Sequence, residues 1–303
     1  MMQVPPIVSL DTPLAPLTSW RIGGAAQYLV RPRNESDLVE AIEWARHNHL
    51  PVSPLGRGTN VLVSDGGVSG LVVLISDGPK QLQIERDSGT IRADAATPLP
   101  RIAVEAVAHS ISGLETFVGI PGTVGGAVAM NAGTGGRSGP SISDVLVDCR
   151  VYDLSDGQIR TVSAAELRFG YRYSVVRHRP WIVLSATFRG SPDADTKALQ
   201  ASQKRILRRR RDTQPLRART AGSVVLQPLD AQPAGWYLEQ SGLKGYRLGG
   251  AEFSRRHANW IENTADAKAS DVLALIQLAE KIVEERFGLS LEREVQLLPK
   301  DDR

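Results

Sequence analysis

The feature that most constrains this chain is a stretch, Gly113–Gly136, that is both glycine-rich and apolar. Seven glycines fall between Gly119 and Gly136, and apolar residues such as Ile120 and Val124 separate them. Flexible linkers combine glycine with serine and polar residues, so this stretch does not read as a linker. Glycine is needed where backbone takes a positive φ or approaches a neighbour closely, and glycine-rich backbone can turn successive N–H groups toward one anion. The stretch therefore predicts either a tight turn inside a core or a site for a phosphate-bearing ligand.

A second glycine loop lies about sixty residues upstream. The apolar run Val52–Leu55 predicts a short strand, and Gly56-Arg57-Gly58-Thr59-Asn60 follows it directly. A glycine loop at the end of a strand is another place where a diphosphate can sit. The chain has neither the phosphate-binding loop G-x-x-x-x-G-K-[ST] nor a G-x-G-x-x-G that follows a strand and opens a helix. Two glycine loops without either fingerprint favour a large phosphate-bearing ligand held by backbone.

Length and composition set the remaining limits. A chain of 303 residues, 42% hydrophobic and 23% charged, predicts a globular protein of two or three domains. It contains no run of 18 apolar residues and no basic, then apolar N-terminal signal, so a cytoplasmic protein without membrane spans is expected. The single cysteine, Cys149, excludes an intrachain disulfide and a cysteine-rich metal site. A net charge of +3 does not by itself call for nucleic acid.

The pattern of elements predicts an α+β protein. Asn34 is expected to cap a helix from Glu35 to His49, and Ser270 to cap a helix over Asp271–Phe287 that Gly288 ends. Two hairpins are predicted, over Gln81–Glu85 with Thr90–Asp94 and over Val145–Leu154 with Gln158–Val162. The other predicted elements are helices over Leu99–His109, Thr196–Arg211 and Ala234–Ser241 and strands over Val72–Ile75 and Trp181–Phe188.

A basic run, Lys204–Arg211, lies on the predicted Thr196–Arg211 helix. Consecutive helical residues point in different directions, so the run spreads around the helix and does not form one stripe. No aromatic platform for stacking bases lies nearby, as single-strand binders require. A solvated helix is the favoured interpretation. An electropositive rim that attracts an anionic substrate comes second, and a nucleic-acid surface third.

Ten motifs, in order, resemble one family, the UDP-N-acetylenolpyruvoylglucosamine reductases (MurB flavoenzymes), and they cover residues from about 18 to 295. They are Trp20–Gly24, Gly56–Val63, Gly119–Ala127, Met130–Gly133, Phe169–Ser174, Gln214–Leu216, Ala221–Val224, Gly242–Gly245, His257–Asn259 and Leu291–Val295. The chain departs from the family pattern at Val225, where an aromatic residue is usual, and at Leu226-Gln227, where lysine-asparagine is usual. Its length resembles the shorter form of the family, which lacks an inserted tyrosine-bearing loop.

The resemblance implies a vanillyl-alcohol-oxidase-type FAD-binding module of two subdomains, over 1–78 and 79–205, and a smaller α+β substrate-binding domain over 206–303. It implies noncovalent FAD, NADPH as hydride donor, and reduction of UDP-N-acetylglucosamine-enolpyruvate to UDP-N-acetylmuramate for peptidoglycan synthesis, by a monomer or weak oligomer. The expected FAD-binding residues come from the two glycine loops: Arg57, Gly58, Thr59, Asn60, Gly119, Pro121, Gly122, Thr123, Gly125, Gly126, Asn131 and Gly133.

Three residues carry the expected chemistry. Hydride addition to an enolpyruvyl carbon develops negative charge toward the carboxylate, and an arginine such as Arg172 is always charged and binds carboxylate bidentately. Ser223 is the expected proton donor. The third is a carboxylate that orients the substrate carboxyl or assists charge stabilisation. Glu292 and Glu294 are two residues apart and would share one face of a terminal strand, so spacing does not choose between them. The resemblance to the family motif selects Glu294.

Substrate contacts are expected from Tyr171, Gln227, Lys244, His257 and Asn259. Two other classes remain open at this level: an FAD-dependent oxidase that uses oxygen, and a non-catalytic nucleotide-binding protein.

Overall fold

The structure, a computed structural model, describes residues 3–229 and 231–300. Its helices are α1 Glu35–His47, α2 Leu99–Ala108, α3 Val124–Met130, α4 Thr196–Thr213, α5 Ala234–Gln240 and α6 Ala269–Phe287. Its strands are β1 Val8–Pro13, β2 Ala25–Val30, β3 Val52–Leu55, β4 Val61–Val63, β5 Val68–Leu74, β6 Leu82–Glu85, β7 Thr90–Asp94, β8 Leu146–Asp153, β9 Ile159–Ser163, β10 Trp181–Arg189, β11 Arg247–Leu248, β12 Ala251–Phe253, β13 Ile261–Asn263 and β14 Gln296–Leu298. The mixture confirms the α+β class and both predicted hairpins.

The chain divides into two units, each assembled from separated segments. Unit 1 runs up to Val8 and then takes Val30–Gly56 and Val73–Arg210. Unit 2 takes Ser9–Leu29, Arg57–Val72 and the chain from Arg211 onward. This division differs from the three predicted domains, whose boundaries remain a prediction.

Unit 1 is built on a five-stranded antiparallel sheet of order β6-β7-β10-β8-β9. α3 packs on this sheet, because a Cβ at Gly125 would lie 3.1 Å from the Ala95 Cβ and 3.7 Å from the Val183 Cβ. α4 packs on α2 through Gln203, whose Nε2 donates to the Ala103 carbonyl at 2.9 Å. Cys149 is buried in β8, and burial raises the pKa of its thiol to about 12, which makes it inert as a nucleophile.

Unit 2 is organised around an apolar core that joins residues far apart in the sequence. Trp20, Leu62, Phe253 and Val272 are among its fully or almost fully buried members. The indole of Trp20 donates to the Ile261 carbonyl at 2.8 Å, so its polar edge is satisfied inside the core. β4 and β14 pair in parallel, and β11, β12 and β13 form a small antiparallel sheet.

The two predicted helix caps turn out differently. Asn34 caps α1 as expected, accepting from the Asp37 N–H at 2.8 Å. The prediction for Ser270 is wrong: α6 begins at Ala269, and the carboxylate of Asp65 accepts from the N–H groups of Ala269 and Ser270 at 2.7 and 3.1 Å. Gly288 ends α6 at φ 64°. Leu289, Leu291, Val295 and Leu297 alternate in the sequence, which predicts a terminal strand, but the strand that forms is the three-residue β14.

Within the described ranges 3–229 and 231–300, every helix is too short or too polar to cross a membrane.

Candidate functional site

The glycine-rich stretch leads into α3 in unit 1, and Thr123 caps that helix. The Thr123 hydroxyl accepts from the Gly126 N–H at 3.4 Å. Gly56, the first residue of the upstream glycine loop, lies beside it, because a Cβ at Gly56 would be 3.0 Å from the same hydroxyl. The end of β3 and the start of α3 therefore meet at Thr123 within unit 1.

Several N–H groups around the turn before α3 have partners inside the protein. Two backbone hydrogen bonds join the turn Gly122–Val124 to residues 97–99. The Leu99 N–H donates to the Gly122 carbonyl, and the Val124 N–H donates to the Thr97 carbonyl, both at 3.0 Å. The Gly122 N–H donates to Ile120, and the Gly125 N–H to Ala95, also at 3.0 Å. The N–H groups of Gly122, Val124 and Gly125 are therefore used inside the protein, and an anion nest formed by other N–H groups of the stretch stays a prediction.

The glycines of the stretch therefore serve different purposes. Gly125 is buried, and its missing side chain lets α3 pack on Ala95. Gly126, one residue on, is exposed, and a Cβ there would meet only the Thr123 hydroxyl, at 3.6 Å. A Cβ at Gly119 would lie 2.8 Å from the Cδ of Arg210. Among these three positions, only Gly126 offers open space to a cofactor.

Arg172 is fixed at the far end of α3. Its Nη2 donates to the Gly133 carbonyl at 2.8 Å, and its Nη1 reaches the Asn131 carbonyl at 3.5 Å. Asn131 ends α3 in the left-handed conformation, and its Nδ2 donates to the Gly170 carbonyl at 2.8 Å. Arg172 itself has φ 54°, a region that costs a non-glycine residue strain and is common at functional sites. The structure thus brings together four of the predicted residues: Asn131, Gly133, Tyr171 and Arg172.

The rest of the upstream glycine loop, Arg57–Asn60, belongs to unit 2. Gly58 has φ 58°, and a Cβ there would lie 2.7 Å from the Thr18 Cα, so this glycine is required by packing. Arg57 is exposed. The Asn60 Nδ2 donates to the Glu294 carbonyl at 3.3 Å, and the Gln296 N–H donates to the Asn60 carbonyl at 3.0 Å. A predicted cofactor residue and a predicted catalytic residue are therefore neighbours in unit 2.

Ser223 and Glu294 lie on adjacent backbone segments of unit 2. The Glu294 N–H donates to the carbonyl of Val224, the residue after Ser223, at 2.9 Å. Gly222, immediately before Ser223, has φ 85°. Glu292 is exposed whereas Glu294 is half-buried, so the environment distinguishes the two carboxylates that spacing could not.

Asn259 holds the Ser223 segment in place. Its side chain is fully buried, with its Oδ1 accepting from the Val225 N–H at 3.0 Å and its Nδ2 donating to the Val225 carbonyl at 2.8 Å. The Val224 N–H donates to the backbone carbonyl of Asn259 at 3.0 Å. These bonds give Asn259 a positioning role in the described structure, and its substrate contact stays a prediction.

The other expected substrate residues of unit 2 have internal partners. The His257 Nδ1 accepts from the Asn259 N–H at 3.2 Å, so this nitrogen carries no proton. Burial, helped by the charge of Lys244, lowers the pKa of His257, which keeps the ring neutral. Lys244 pairs with Glu239 at 2.9 Å, and the Gln227 Oε1 accepts from the Ala234 N–H at 2.8 Å.

Two residues near the unit 1 site were missed at the sequence level. The guanidinium of Arg137 lies 4.5 Å from the centre of the Tyr171 ring. Arg210 packs on Gly119, and burial lowers its pKa. The sequence gives no signal for either residue, because Arg137 lies among glycines in an apparent turn and Arg210 is one member of a basic run. The solvated-helix interpretation agrees with the exposed side chains of Lys204, Arg205, Arg208 and Arg209, whereas Arg210 is half-buried.

Comparison with known proteins assigns these features to a class. Residues 26–163 match the family model for the FAD binding domain, and residues 214–298 match the model for the UDP-N-acetylenolpyruvoylglucosamine reductase C-terminal domain. An FAD-binding domain joined to such a C-terminal domain defines a flavin-dependent oxidoreductase, and the predicted FAD-binding module is confirmed.

Relatives similar over nearly the whole chain narrow the class. A UDP-N-acetylenolpyruvoylglucosamine reductase from Synechococcus sp. (strain JA-3-3Ab) is 43% identical over 96% of this chain and 91% of that protein. One from Synechococcus sp. (strain RCC307) is 42% identical over 98% of this chain and 96% of its own length. The crystal structure of the Thermus caldophilus enzyme of that name superposes with a TM-score of 0.77, at 32% identity, over 98% of this chain and 99% of that one. The chain belongs to the UDP-N-acetylenolpyruvoylglucosamine reductase family.

Proposed function

We propose that this enzyme reduces UDP-N-acetylglucosamine-enolpyruvate to UDP-N-acetylmuramate with NADPH and bound FAD, and that Arg172, Ser223 and Glu294 carry the chemistry. The observation that carries the residue assignment is Arg172, held by two backbone carbonyls at the end of the glycine-rich stretch. This anchoring holds the Arg172 guanidinium beside Asn131 and Gly133, two of the residues expected to bind FAD. We also propose a cytoplasmic location and a monomer or weak oligomer.

Arg172 stabilises the negative charge that develops on the substrate. Addition of hydride to the enolpyruvyl carbon pushes electron density toward the adjacent carbon and its carboxylate. A guanidinium already held in place stabilises that charge without reorganising at the moment of reaction. A guanidinium carries five N–H donors, so it can be anchored by the carbonyls of Asn131 and Gly133 and still present donors to a carboxylate.

Ser223 supplies the proton that completes the reduction. A hydroxyl is a weak acid, so it must be well positioned, and Asn259 fixes the backbone of the following residues Val224 and Val225. Glu294 lies on the neighbouring segment, and we assign it to orient or neutralise the substrate carboxyl region. A protonated carboxyl in a partly buried place can donate a hydrogen bond in this way.

The described residues of unit 1 fit FAD. Gly126 is exposed with open space at its Cβ position, and Thr123 and Gly56 border it. These residues would hold the nucleotide on unit 1, and the loop Arg57–Asn60 stays a prediction for the same cofactor. When bound, FAD accepts hydride from NADPH and passes it on. No histidine or cysteine lies in either glycine loop to attach the flavin covalently.

The test compares the two half-reactions in stopped-flow experiments. Purified wild type should show a flavin spectrum that NADPH bleaches and the enolpyruvyl substrate restores. Arg172→Ala should slow reoxidation by substrate about 10²–10³-fold, the usual loss for a preorganised donor. Reduction by NADPH should stay near the wild-type rate, because that step involves no substrate carboxylate. Equal losses in both half-reactions would assign Arg172 a structural role instead.

The same preparation separates the rival functions. A flavin reoxidised by air faster than by the enolpyruvyl substrate would indicate an oxidase. A colourless protein that takes up no FAD would indicate a non-catalytic nucleotide-binding protein.

A further inference from the structure

A short loop between α3 and β8 presents an arginine beside the unit 1 site. We name Gly133–Ser141 the Arg137 loop. Its ends are joined by a bridge between Gly133 and Ser141, and the Thr134 N–H donates to the Pro140 carbonyl at 3.0 Å. Gly135 and Gly136 have φ 81° and 79°, so the turn that carries Arg137 depends on glycine. The loop is closed at its base and exposed at its tip.

Arg137 and Arg172 share one aromatic ring. The guanidinium carbon of Arg137 lies 4.5 Å from the centre of the Tyr171 ring, and that of Arg172 lies 5.0 Å from the same centre. The separation of the two guanidinium carbons cannot exceed the sum of these distances. The ring attracts both cations electrostatically, while two like charges within that limit repel each other. An anion bound beside both guanidinium groups would turn that repulsion into attraction.

The two arginines are also linked through the backbone. The Arg172 Nη2 donates to the carbonyl of Gly133, the residue at the base of the Arg137 loop. The side chain that we assign to the substrate carboxylate therefore holds the loop that carries the second guanidinium.

We propose that Arg137 binds the carboxylate of the enolpyruvyl substrate together with Arg172. A carboxylate has two oxygens with about four lone-pair sites, so it can accept hydrogen bonds from two guanidinium groups. Arg172 then stabilises the charge as it develops, whereas Arg137 binds the carboxylate already present in the ground state. This inference rests on the proposed function, because the carboxylate belongs to that substrate.

The experiment measures the KM for UDP-N-acetylglucosamine-enolpyruvate and the kcat of Arg137→Ala, Arg137→Lys and wild type, each as the FAD-loaded enzyme. Loss of a group that binds ground state and transition state equally raises KM and leaves kcat unchanged. One hydrogen bond to a charged group corresponds to about a 10-fold change or more, so we expect Arg137→Ala to raise KM by about that factor. The KM of Arg137→Lys should lie between those of wild type and Arg137→Ala, because an ammonium keeps the charge but lacks the planar pair of N–H donors that binds a carboxylate.

Three controls separate an effect on the substrate carboxylate from other effects. Arg179→Ala removes another exposed arginine of unit 1 that lies over an aromatic ring, 5.9 Å from the centre of Trp181, and should leave KM within about 2-fold. Inhibition by UDP-N-acetylglucosamine, which has the diphosphate but no carboxylate, should be equally strong in wild type and Arg137→Ala. The KM for NADPH should also be unchanged.

Three results would overturn the assignment. An unchanged KM in Arg137→Ala would remove Arg137 from the site. Equal weakening of UDP-N-acetylglucosamine and of the enolpyruvyl substrate would place Arg137 on the diphosphate, not the carboxylate. A wild type that binds FAD but does not turn over the enolpyruvyl substrate would overturn the proposed function and this inference with it.

Discussion

Asn259 offers a stability prediction that can be worked out from its hydrogen bonds. Its side chain is 0% exposed and bonds to both the N–H and the carbonyl of Val225, which is itself fully buried. Asn259→Ala leaves both backbone groups in the core without their partner. Each unsatisfied buried group costs about 1–3 kcal/mol, so the free energy of unfolding should fall by about 2–6 kcal/mol.

Denaturant unfolding followed by circular dichroism measures this loss as the shift in midpoint multiplied by the slope m. The matched control is Asn48→Ala, which removes an asparagine that donates to the Trp44 carbonyl at the end of α1 and is only partly buried. Water can replace its partner there, so the control should lose about 1 kcal/mol or less. An Asn259→Ala variant no less stable than this control would refute the reasoning.

Asn259→Asp sharpens the test. One oxygen of the introduced carboxyl can still accept from the Val225 N–H, but the second oxygen faces the Val225 carbonyl, and two acceptors repel. Burial disfavours the ionised carboxylate, so the pKa of the introduced carboxyl in the folded protein should exceed its unfolded value. The variant should therefore be most stable at low pH, where the protonated oxygen can donate to the carbonyl, and lose stability as pH rises through the folded pKa. A profile that runs in the opposite direction would show that the carboxylate is not buried at this place.

Three further predictions concern the site. Ser223→Ala should still bind FAD and be reduced by NADPH, but its flavin should be reoxidised by the enolpyruvyl substrate about 10²–10⁴-fold more slowly. Ser223→Cys should recover part of that rate. If Ser223→Ala is reoxidised within a few-fold of the wild-type rate, Ser223 is not the proton donor. Gly126→Val should fold but bind FAD at least about 10-fold more weakly in fluorescence titration, because losing a contact with the free energy of one hydrogen bond changes affinity by about that factor. Gly125→Val should instead lower the melting temperature, because its side chain collides with Ala95. Full flavin occupancy in Gly126→Val would contradict the cofactor assignment. Burial lowers the pKa of His257, so the folded protein loses stability as pH falls from above the unfolded pKa of this residue toward its folded pKa. His257→Gln should therefore flatten the decline in melting temperature between about pH 7 and pH 5. A decline in the variant as steep as in wild type would exclude His257 as its source.

Much of the site could be predicted from the sequence because its parts are continuous segments. The glycine-rich stretch and the loop Gly56–Asn60 stand out by composition alone, and the order of ten motifs indicates the family. The use of each glycine could not be predicted in this way. Gly125 packs on Ala95 and Gly126 faces open space, although the two residues are adjacent and identical. Only the packing of α3 on the sheet distinguishes them.

What the sequence by itself determined is local. Asn34 caps α1 and Gly288 ends α6, because a cap needs only bonds between residues three or four apart and a conformation that glycine adopts readily. The hairpin over Leu82–Glu85 and Thr90–Asp94 forms where the polar turn and the alternating residues predict it. In each case the physical cause lies within one short stretch of chain.

What only the tertiary structure decided depends on partners distant in sequence. Asp65, not Ser270, caps α6 from 204 residues away, and although burial opposes ionisation, the N–H groups of Ala269 and Ser270 hold the pKa of Asp65 below its usual value. Glu294, not Glu292, is the half-buried carboxylate, and Arg137 meets Tyr171 across 34 positions of the sequence. No periodicity or spacing encodes such contacts, because they arise only when packing of the core brings separate segments together.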